Sequence, residues 1–138
     1  MAAPVELIQK VPLFADLDRK ELDDLAGWFK ERSFSEGEEV VSEGRGGIGF
    51  FVIEEGQAGV NVGGEERGSL GPGDHFGEVA LIDEGARSAT ITAKSNLRTY
   101  GLTSWEFRPL VETNASIAWK LLQTMAKRLR EAEGRSGG

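Results

Sequence analysis

The stretch HFGEVALIDEGARSATITA, His75 to Ala93, sets one carboxylate and one guanidinium nine residues apart, Glu78 and Arg87, among small and apolar neighbours. The two groups do complementary chemistry. A guanidinium donates paired hydrogen bonds to the oxygens of a phosphate, whereas an ionised carboxylate only accepts, which suits a sugar hydroxyl and repels phosphate. Between them stand Gly77 and the run EVAL, one good helical turn over 78–82. The first amides of such a turn have no carbonyl partner and face outward at the positive end of the peptide dipoles, so Val79 and Ala80 are candidate anion-binding amides. Gly77 admits a ligand close to the backbone, and the small Ala80 leaves it room. Val60, Leu70 and Ala89 are candidates for the wall against a base. A plainer alternative stays open on these residues alone. Arg87 can pair with Asp83 or Glu84 on its own loop, and Glu78 can complement a helix N-terminus, each a surface arrangement of small energetic weight.

Few other residues offer chemistry. The single histidine, His75, adjoins Asp74 and reads as an exposed turn residue. A cupin-type metal enzyme, built on a similar double-sheet barrel, needs several imidazole or carboxylate ligands converging on one ion. With no cysteine there is neither thiolate nor disulfide, and no serine has a base in a recognisable triad context. The expectation is a binding protein, not an enzyme, with no catalytic residue, no metal and no required cofactor.

Composition narrows the partners. The chain of 138 residues suits a single domain, and its 39% hydrophobic and 28% charged residues are those of an ordinary globular protein. Net charge is -7, placed unevenly: residues 115–138 carry +3, leaving -10 for the rest. An acidic body repels a nucleic-acid backbone, so no direct DNA binding is expected. A small anion differs, because charges beyond roughly 8 Å are largely screened at physiological salt and the groups lining a pocket decide. The N-terminal MAAPVELIQKVPLFADL lacks a basic start and a long apolar run, and no segment reaches the length of a membrane span. Together with the absence of cysteine this predicts a cytoplasmic protein away from the membrane.

The elements that must position Glu78 and Arg87 follow from periodicity. Residues 1–30 form a helical preface, with Asp16 and Asp18 as candidate caps before RKELDDLAGWFK. Residues 31–103 break into short glycine-punctuated runs, the pattern of a small β-barrel, with the Glu78–Arg87 segment inside 71–93. EEGQ at 54–57 predicts a hairpin turn on Gly56, and GPGD at 71–74 a sharp reversal. Residues 104–133 return to helical spacing, with Ser104 and Asn114 as N-caps and Gly134 as the stop, and 134–138 form a frayed tail. The fold class is therefore mainly β with flanking helices (α+β): a double-stranded β-helix or jelly-roll barrel, with N-terminal helices and a C-terminal helical pair. In the last helix Ala118, Leu122, Met125, Leu129 and Ala132 alternate at four and three, with Ile117 and Leu121 alongside. That stripe reads first as a face docked on the barrel and second as the seam of a homodimer.

LGPGDHFGEVALIDEGARSATITA resembles the phosphate-binding cassette of cyclic nucleotide-binding domains. This family includes the bacterial catabolite activator protein and the regulatory subunits of cAMP-dependent protein kinase. VPLFADLDRKELDDLA resembles the family's opening helix, FSEGEEVVSEGRGGIGFFVIEEGQAGV its glycine-spaced strands and LLQTMAKRLRE its closing helix. The resemblance implies that Glu78 accepts the ribose 2′-hydroxyl and that Arg87 pairs with the cyclic phosphate. It also implies that Gly77, Val79 and Ala80 give backbone contacts to the sugar-phosphate, and that Ser88 and Ala89 lie beside phosphate and base. Serine at position 88, where threonine accompanies cGMP preference in the family, implies cAMP ahead of cGMP. Only GRSGG follows Glu133 where transcription factors of the family continue into a helix-turn-helix, so a stand-alone sensor domain acting on a protein effector is expected. The positions that would contact adenine are Ala132 and Glu133, without hydroxyls, which leaves Trp119, Leu122, Met125 and Leu129 as candidate apolar caps of a base pocket. In that reading the ligand orders the helical turn at 78–82, Leu81 and Ile82 shift, and the closing helices repack. The rival within the same fold is a ligand-free scaffold for a protein partner.

Overall fold

Asp18 and Glu21 begin the first substantial helix by capping each other. The Glu21 amide donates to Asp18 Oδ1 and the Asp18 amide to Glu21 Oε1, both at 2.9 Å, which satisfies two of the donors that a helix start leaves open. In the computed structural model, which describes residues 3–44, 49–83 and 87–135, this helix is α2 (Arg19–Ala26), preceded by the short α1 (Val5–Gln9) and a 3-10 turn at Pro12–Phe14. Asp16 caps nothing here; its carboxylate turns to the other end of the chain. The preface is thus three short pieces rather than one helical run, and the chain is already extended at Lys30.

Eight strands follow: β1 (Lys30–Phe34), β2 (Glu39–Val41), β3 (Phe50–Glu55), β4 (Ala58–Val62), β5 (Glu65–Leu70), β6 (His75–Phe76), β7 (Thr90–Ala93) and β8 (Leu97–Leu102). They form two antiparallel sheets of four, ordered β1-β8-β3-β6 and β2-β7-β4-β5. This is the expected jelly-roll arrangement with flanking helices. One expected turn is different. Gly56 has the predicted positive φ, +99°, but β3 and β4 do not pair with each other, since they lie in opposite sheets. Residue 57 bonds instead to the β7–β8 corner, its amide to Ser95 Oγ at 3.0 Å and its carbonyl to the Lys94 amide at 2.8 Å. The tight hairpin is β4–β5, where Gly63 and Gly64 both take positive φ, +61° and +84°, as a two-residue type I′ turn requires.

The strand β3 is buried on both faces, which is why it reads as the unbroken apolar run FFVI. On one side Phe50 meets Phe14 and Phe29 edge-to-face at 5.9 Å, inside a cluster that joins the N-terminal helices to the last two. On the other, Ile53, Ala58, Ile91, Ala93 and Leu97 fill the space between the sheets, with Phe34, Val60 and Leu70 packed at its margin.

The chain ends in α3 (Ser104–Thr113) and α4 (Ala115–Arg135). Thr103, not Ser104, caps α3, through a second reciprocal box with Glu106. The Asn114 carbonyl accepts the Ala118 amide at 3.0 Å as α4 starts, while its side-chain amide returns to the Leu110 carbonyl. Gly134 does not stop α4, which runs through Arg135; a glycine in a last turn costs only about 1 kcal/mol relative to alanine. The apolar stripe is also corrected. Ile117 and Leu121 are buried, but Leu122, Met125, Leu129 and Trp119 face solvent, so α4 docks by the neighbouring row, and onto the helical cluster rather than the barrel.

Polar contacts complete that docking. Ser116 and Lys120 donate to the Glu21 carboxylate at 2.7 and 2.6 Å, Thr124 and Lys127 to Asp16 at 2.9 and 3.1 Å, and Arg128 to Glu78 Oε1 at 3.1 Å. Burial alone would raise the Glu21 carboxyl, but Lys120, the Asp18 amide and Ser116 together outweigh it and bring it down to about 2. A carboxyl lowered on folding stabilises fully above its ordinary value, near 4.5, and that contribution fades as pH falls toward about 2. Glu21→Gln should therefore destabilise the protein at neutral pH by on the order of 1–3 kcal/mol. The gap from wild type should close on acidification through that window, as read by urea titrations across pH; a gap independent of pH would show that the charge of Glu21 is not what holds α4.

Candidate functional site

The chain passes from β6 through Gly77 and Glu78 into a single 3-10 turn, Val79–Leu81, and Arg87 stands three residues ahead of β7, which begins at Thr90. The turn is closed by the Ala80 amide on the Gly77 carbonyl at 3.0 Å and the Leu81 amide on the Glu78 carbonyl at 3.2 Å. It is shorter than the expected helical turn over 78–82, and the Ala80 amide, expected to be open to an anion, is already bonded within it. Leu81 anchors it in the helical cluster, whereas Ile82 is half exposed.

Arg87 is only 9% exposed. Its Nη2 donates to the Gly49 carbonyl, and its Nε is buried without a hydrogen-bond partner among the described residues. Burial lowers its pKa from the ordinary arginine value, which still leaves it a cation at any ordinary pH. The backbone around it is held firmly: its carbonyl accepts the Gly44 amide at 2.9 Å. Gly77 has φ +86°, and a Cβ there would collide with the Arg87 guanidinium and stand 2.7 Å from the Gly49 carbonyl oxygen. Glycine at 77 is what lets the guanidinium lie across the backbone.

Glu78, with a side chain 13% exposed, uses its two oxygens differently. Oε1 accepts from Arg128; Oε2 is buried with no hydrogen-bond donor among the described residues, facing His75 Nε2 at 3.7 Å, an ion pair when that imidazole is protonated. His75, with Arg128 adding to it, holds the carboxyl below the usual carboxylate range against the opposing effect of burial. Glu78 is thus an acceptor, not a donor. His75 itself is no exposed turn residue: it lies half-buried in β6, its ring 5.8 Å from that of Phe50.

These groups line one cavity of about 470 Å³, within the usual range for small-molecule sites. Of the residues expected from the sequence, Gly77, Glu78, Ala80, Arg87, Ser88 and Ala89 are on its wall, and Val79 adjoins through the backbone of the 3-10 turn. Asp83 lines it too; Glu84, the other expected loop partner of Arg87, lies outside the described residues. Of the expected base wall, Ala89 is on the cavity and Val60 stands opposite the cavity-lining Ile91 in the β4–β7 pairing. Val60 and Leu70 pack between the sheets, and Leu122, Met125 and Leu129 are exposed on α4. The apolar lining consists of Val41, Phe76 and Ile91, with Ala89. Ile91 was within reach of the alternation Ala89-Ile91-Ala93, which puts all three on one face of a strand. Val41 comes beside Ile91 only through the pairing of β2 with β7, and Phe76 is fixed by stacking on Phe51 at 5.3 Å.

A half-open pocket, part polar and part apolar, with a buried guanidinium and a separate buried carboxylate acceptor has the groups that would suit a small anion that also carries a hydroxyl. Among the described residues no group of three or more His, Asp or Glu side chains gathers to hold a metal, and no helix is long and apolar enough to cross a membrane. The sequence profile of the cyclic nucleotide-binding domain matches residues 31–114, and the chain belongs to that family. It is 32% identical over 127 residues to the cyclic AMP receptor protein of Thermus thermophilus, covering 88% of this chain and 59% of that protein. It is 36% identical over 106 residues to the cAMP-dependent protein kinase regulatory subunit of Yarrowia lipolytica, covering 75% of this chain and 28% of that one. The chain thus spans less than two thirds of either relative. Among solved structures, the N-terminal domain of a transcriptional regulator from Streptomyces coelicolor superposes with a TM-score of 0.85 at 28% identity, over 93% of this chain and 95% of the other. The family is one of ligand-binding regulatory domains.

Because Gly77 makes space for Arg87, Gly77→Ala should destabilise the fold by about 1–3 kcal/mol, the cost of a side chain in left-handed backbone plus the displaced guanidinium. Thermal melts of the variant check this; a melting temperature equal to that of wild type would show that Arg87 relaxes freely.

Proposed function

We propose that the cavity binds a cyclic nucleotide, cAMP ahead of cGMP, and that the chain is a single sensor domain. The observation that carries this reading is the pair of unsatisfied buried polar atoms on one cavity, Arg87 Nε and Glu78 Oε2. One demands an acceptor with negative charge and the other a neutral donor, and a sugar cyclic phosphate offers both. In this assignment Arg87 pairs with the phosphate and Glu78 accepts from the ribose 2′-hydroxyl. The backbone of Gly77, Val79 and Ala80 lies along the sugar-phosphate, and Ser88 and Ala89 flank phosphate and base. That the two relatives are named a cyclic AMP receptor and a cAMP-dependent kinase regulatory subunit supports cAMP, as does serine rather than threonine at 88.

Transmission follows from Leu81. It is buried in the same cluster as Phe107 and Leu110 of α3 and Ile117 and Leu121 of α4. A phosphate that draws in the 3-10 turn moves Leu81, and so changes what the last two helices pack against. A protein effector would read that change. A ligand-free scaffold is disfavoured by the same unsatisfied atoms, which a scaffold has no reason to keep buried.

The exposed face of α4 suggests one partner, a second copy of the chain. Ala118, Leu122, Met125, Leu129 and Ala132 keep the heptad spacing, and none of the last four is used by the chain's own body. Sedimentation at several concentrations should give a dimer that a Leu122→Asp, Leu129→Asp double substitution converts to monomer; a monomeric wild type at high concentration would refute this contact.

The ligand assignment is tested by calorimetry of the purified chain with cAMP, cGMP and ATP. We expect binding of cAMP, weaker binding of cGMP and none of ATP. Arg87→Ala should lower cAMP affinity by about a hundredfold or more, since it removes charge-assisted hydrogen bonds of roughly 1.5–3 kcal/mol each. Its circular dichroism should remain folded. Heat with none of the three, or unchanged affinity in the variant, would rule the assignment out.

A further inference from the structure

We propose that His75 makes recognition of the sugar hydroxyl depend on pH: as an imidazolium it pairs with the open oxygen of Glu78 and withholds it from the ligand, and as a neutral imidazole it releases it. This rests on the cyclic-nucleotide reading above and adds a condition under which the hydroxyl is read. Both residues line the same cavity. His75 Nε2 stands 3.7 Å from Glu78 Oε2, the oxygen that is buried without a hydrogen-bond donor among the described residues. That separation is within ion-pair reach but beyond a hydrogen bond. Closing it by less than about 1 Å makes a charge-assisted hydrogen bond, and Oε2 is then occupied. Packing keeps the ring close by, since it lies 5.8 Å from that of Phe50 and the His75 backbone is paired with Val52 in β3.

The groups around His75 leave it as the one that changes. From α4, Arg128 donates to the other oxygen of Glu78 and stays charged at any ordinary pH. Asp83 and Arg87 share the cavity wall, β3 presents the Phe50 ring, and the adjacent Asp74 turns its carboxylate to the Gly71 amide at 2.8 Å. Glu78 is held below the usual carboxylate range, with His75 the largest single influence, so it remains an acceptor. An imidazole ordinarily changes charge between about pH 5 and 8. The sequence has a single histidine and no cysteine, so few other groups can imitate its transition.

Protonation of His75 has two effects of opposite sign. The imidazolium competes with the 2′-hydroxyl for Oε2, which weakens binding, while its charge attracts the phosphate, which strengthens it. The attraction acts on any cyclic phosphate, with or without the hydroxyl. The ratio of affinities for two nucleotides that differ only in that hydroxyl therefore isolates the competition.

The test measures affinities of wild type, His75→Phe and His75→Asn for 3′,5′-cyclic AMP and its 2′-deoxy analogue between about pH 5.5 and 8. We expect wild type to prefer the hydroxyl-bearing nucleotide by about tenfold at the alkaline end, one good hydrogen bond to a charged group, and by less than about threefold at the acid end. Phenylalanine keeps a ring against Phe50 and asparagine keeps a polar side chain, and neither titrates. In both variants the preference should be independent of pH, with circular dichroism reporting the fold at each point. A wild-type preference that stays constant over this range, or a pH dependence that survives in both variants, would overturn the inference and leave His75 a packing residue. Wild type that binds both nucleotides equally at every pH would remove the hydroxyl role of Glu78, and the inference with it, while sparing the phosphate reading. Failure of wild type to bind either would overturn both readings.

Discussion

A guanidinium buried beside the Gly77 and Gly49 backbone, on a cavity lined in part by alanine, valine, isoleucine and phenylalanine, is the constraint around which the rest of this structure is arranged. Taking such an ion out of water costs several kcal/mol unless other groups replace its hydration. Here one carbonyl, that of Gly49, does so in part, and no carboxylate among the described residues pairs with it. The surroundings show how tightly the position is determined. Gly77 has no Cβ, so the guanidinium can lie across the backbone, and the Arg87 carbonyl is fixed by the Gly44 amide. The charge is therefore held in place rather than tolerated, and an anion is the natural complement.

The two faces of β3 divide the molecule by role. Its inner face belongs to the barrel that encloses the cavity, and its outer face, through Phe50, belongs to the helical cluster. The 3-10 turn between Glu78 and Arg87 stands at the boundary, its polar start on the cavity and Leu81 in the helical cluster. Any rearrangement of that turn is felt on both sides, because close-packed interiors shift between discrete arrangements rather than yield gradually.

The charge asymmetry of the chain acquires a meaning in this setting. Three cations of the last helix, Lys120, Lys127 and Arg128, are matched to Glu21, Asp16 and Glu78. Half-exposed pairs of this kind contribute little each. They add to a small apolar contact, Ile117 and Leu121, so α4 is held by modest forces.

Much of this was legible in the linear chain, and the division follows the range of the interactions. Local chemistry is written locally. The capping box at Asp18 and Glu21, the positive φ at Gly56 and the Gly77-Glu78 to Arg87 spacing each depend on residues a few positions apart, as did the jelly-roll class, which needs only strand length and turn frequency. What depends on pairing across the fold was not legible. Gly56 marks a turn in either case, but whether its strands pair or part to opposite sheets depends on their other neighbours. Val41 was out of reach for the same reason, since it comes to the cavity only by lying beside Ile91. In α4 the heptad stripe reads as the buried face, yet Thr124 and the three cations find partners on the body and turn the neighbouring row inward. The sequence alone thus placed the candidate ligand groups, Gly77, Glu78 and Arg87, within one short segment. The tertiary structure alone decided what surrounds them and which distant side chain, Arg128, holds Glu78, because those choices depend on contacts between residues that only folding brings together.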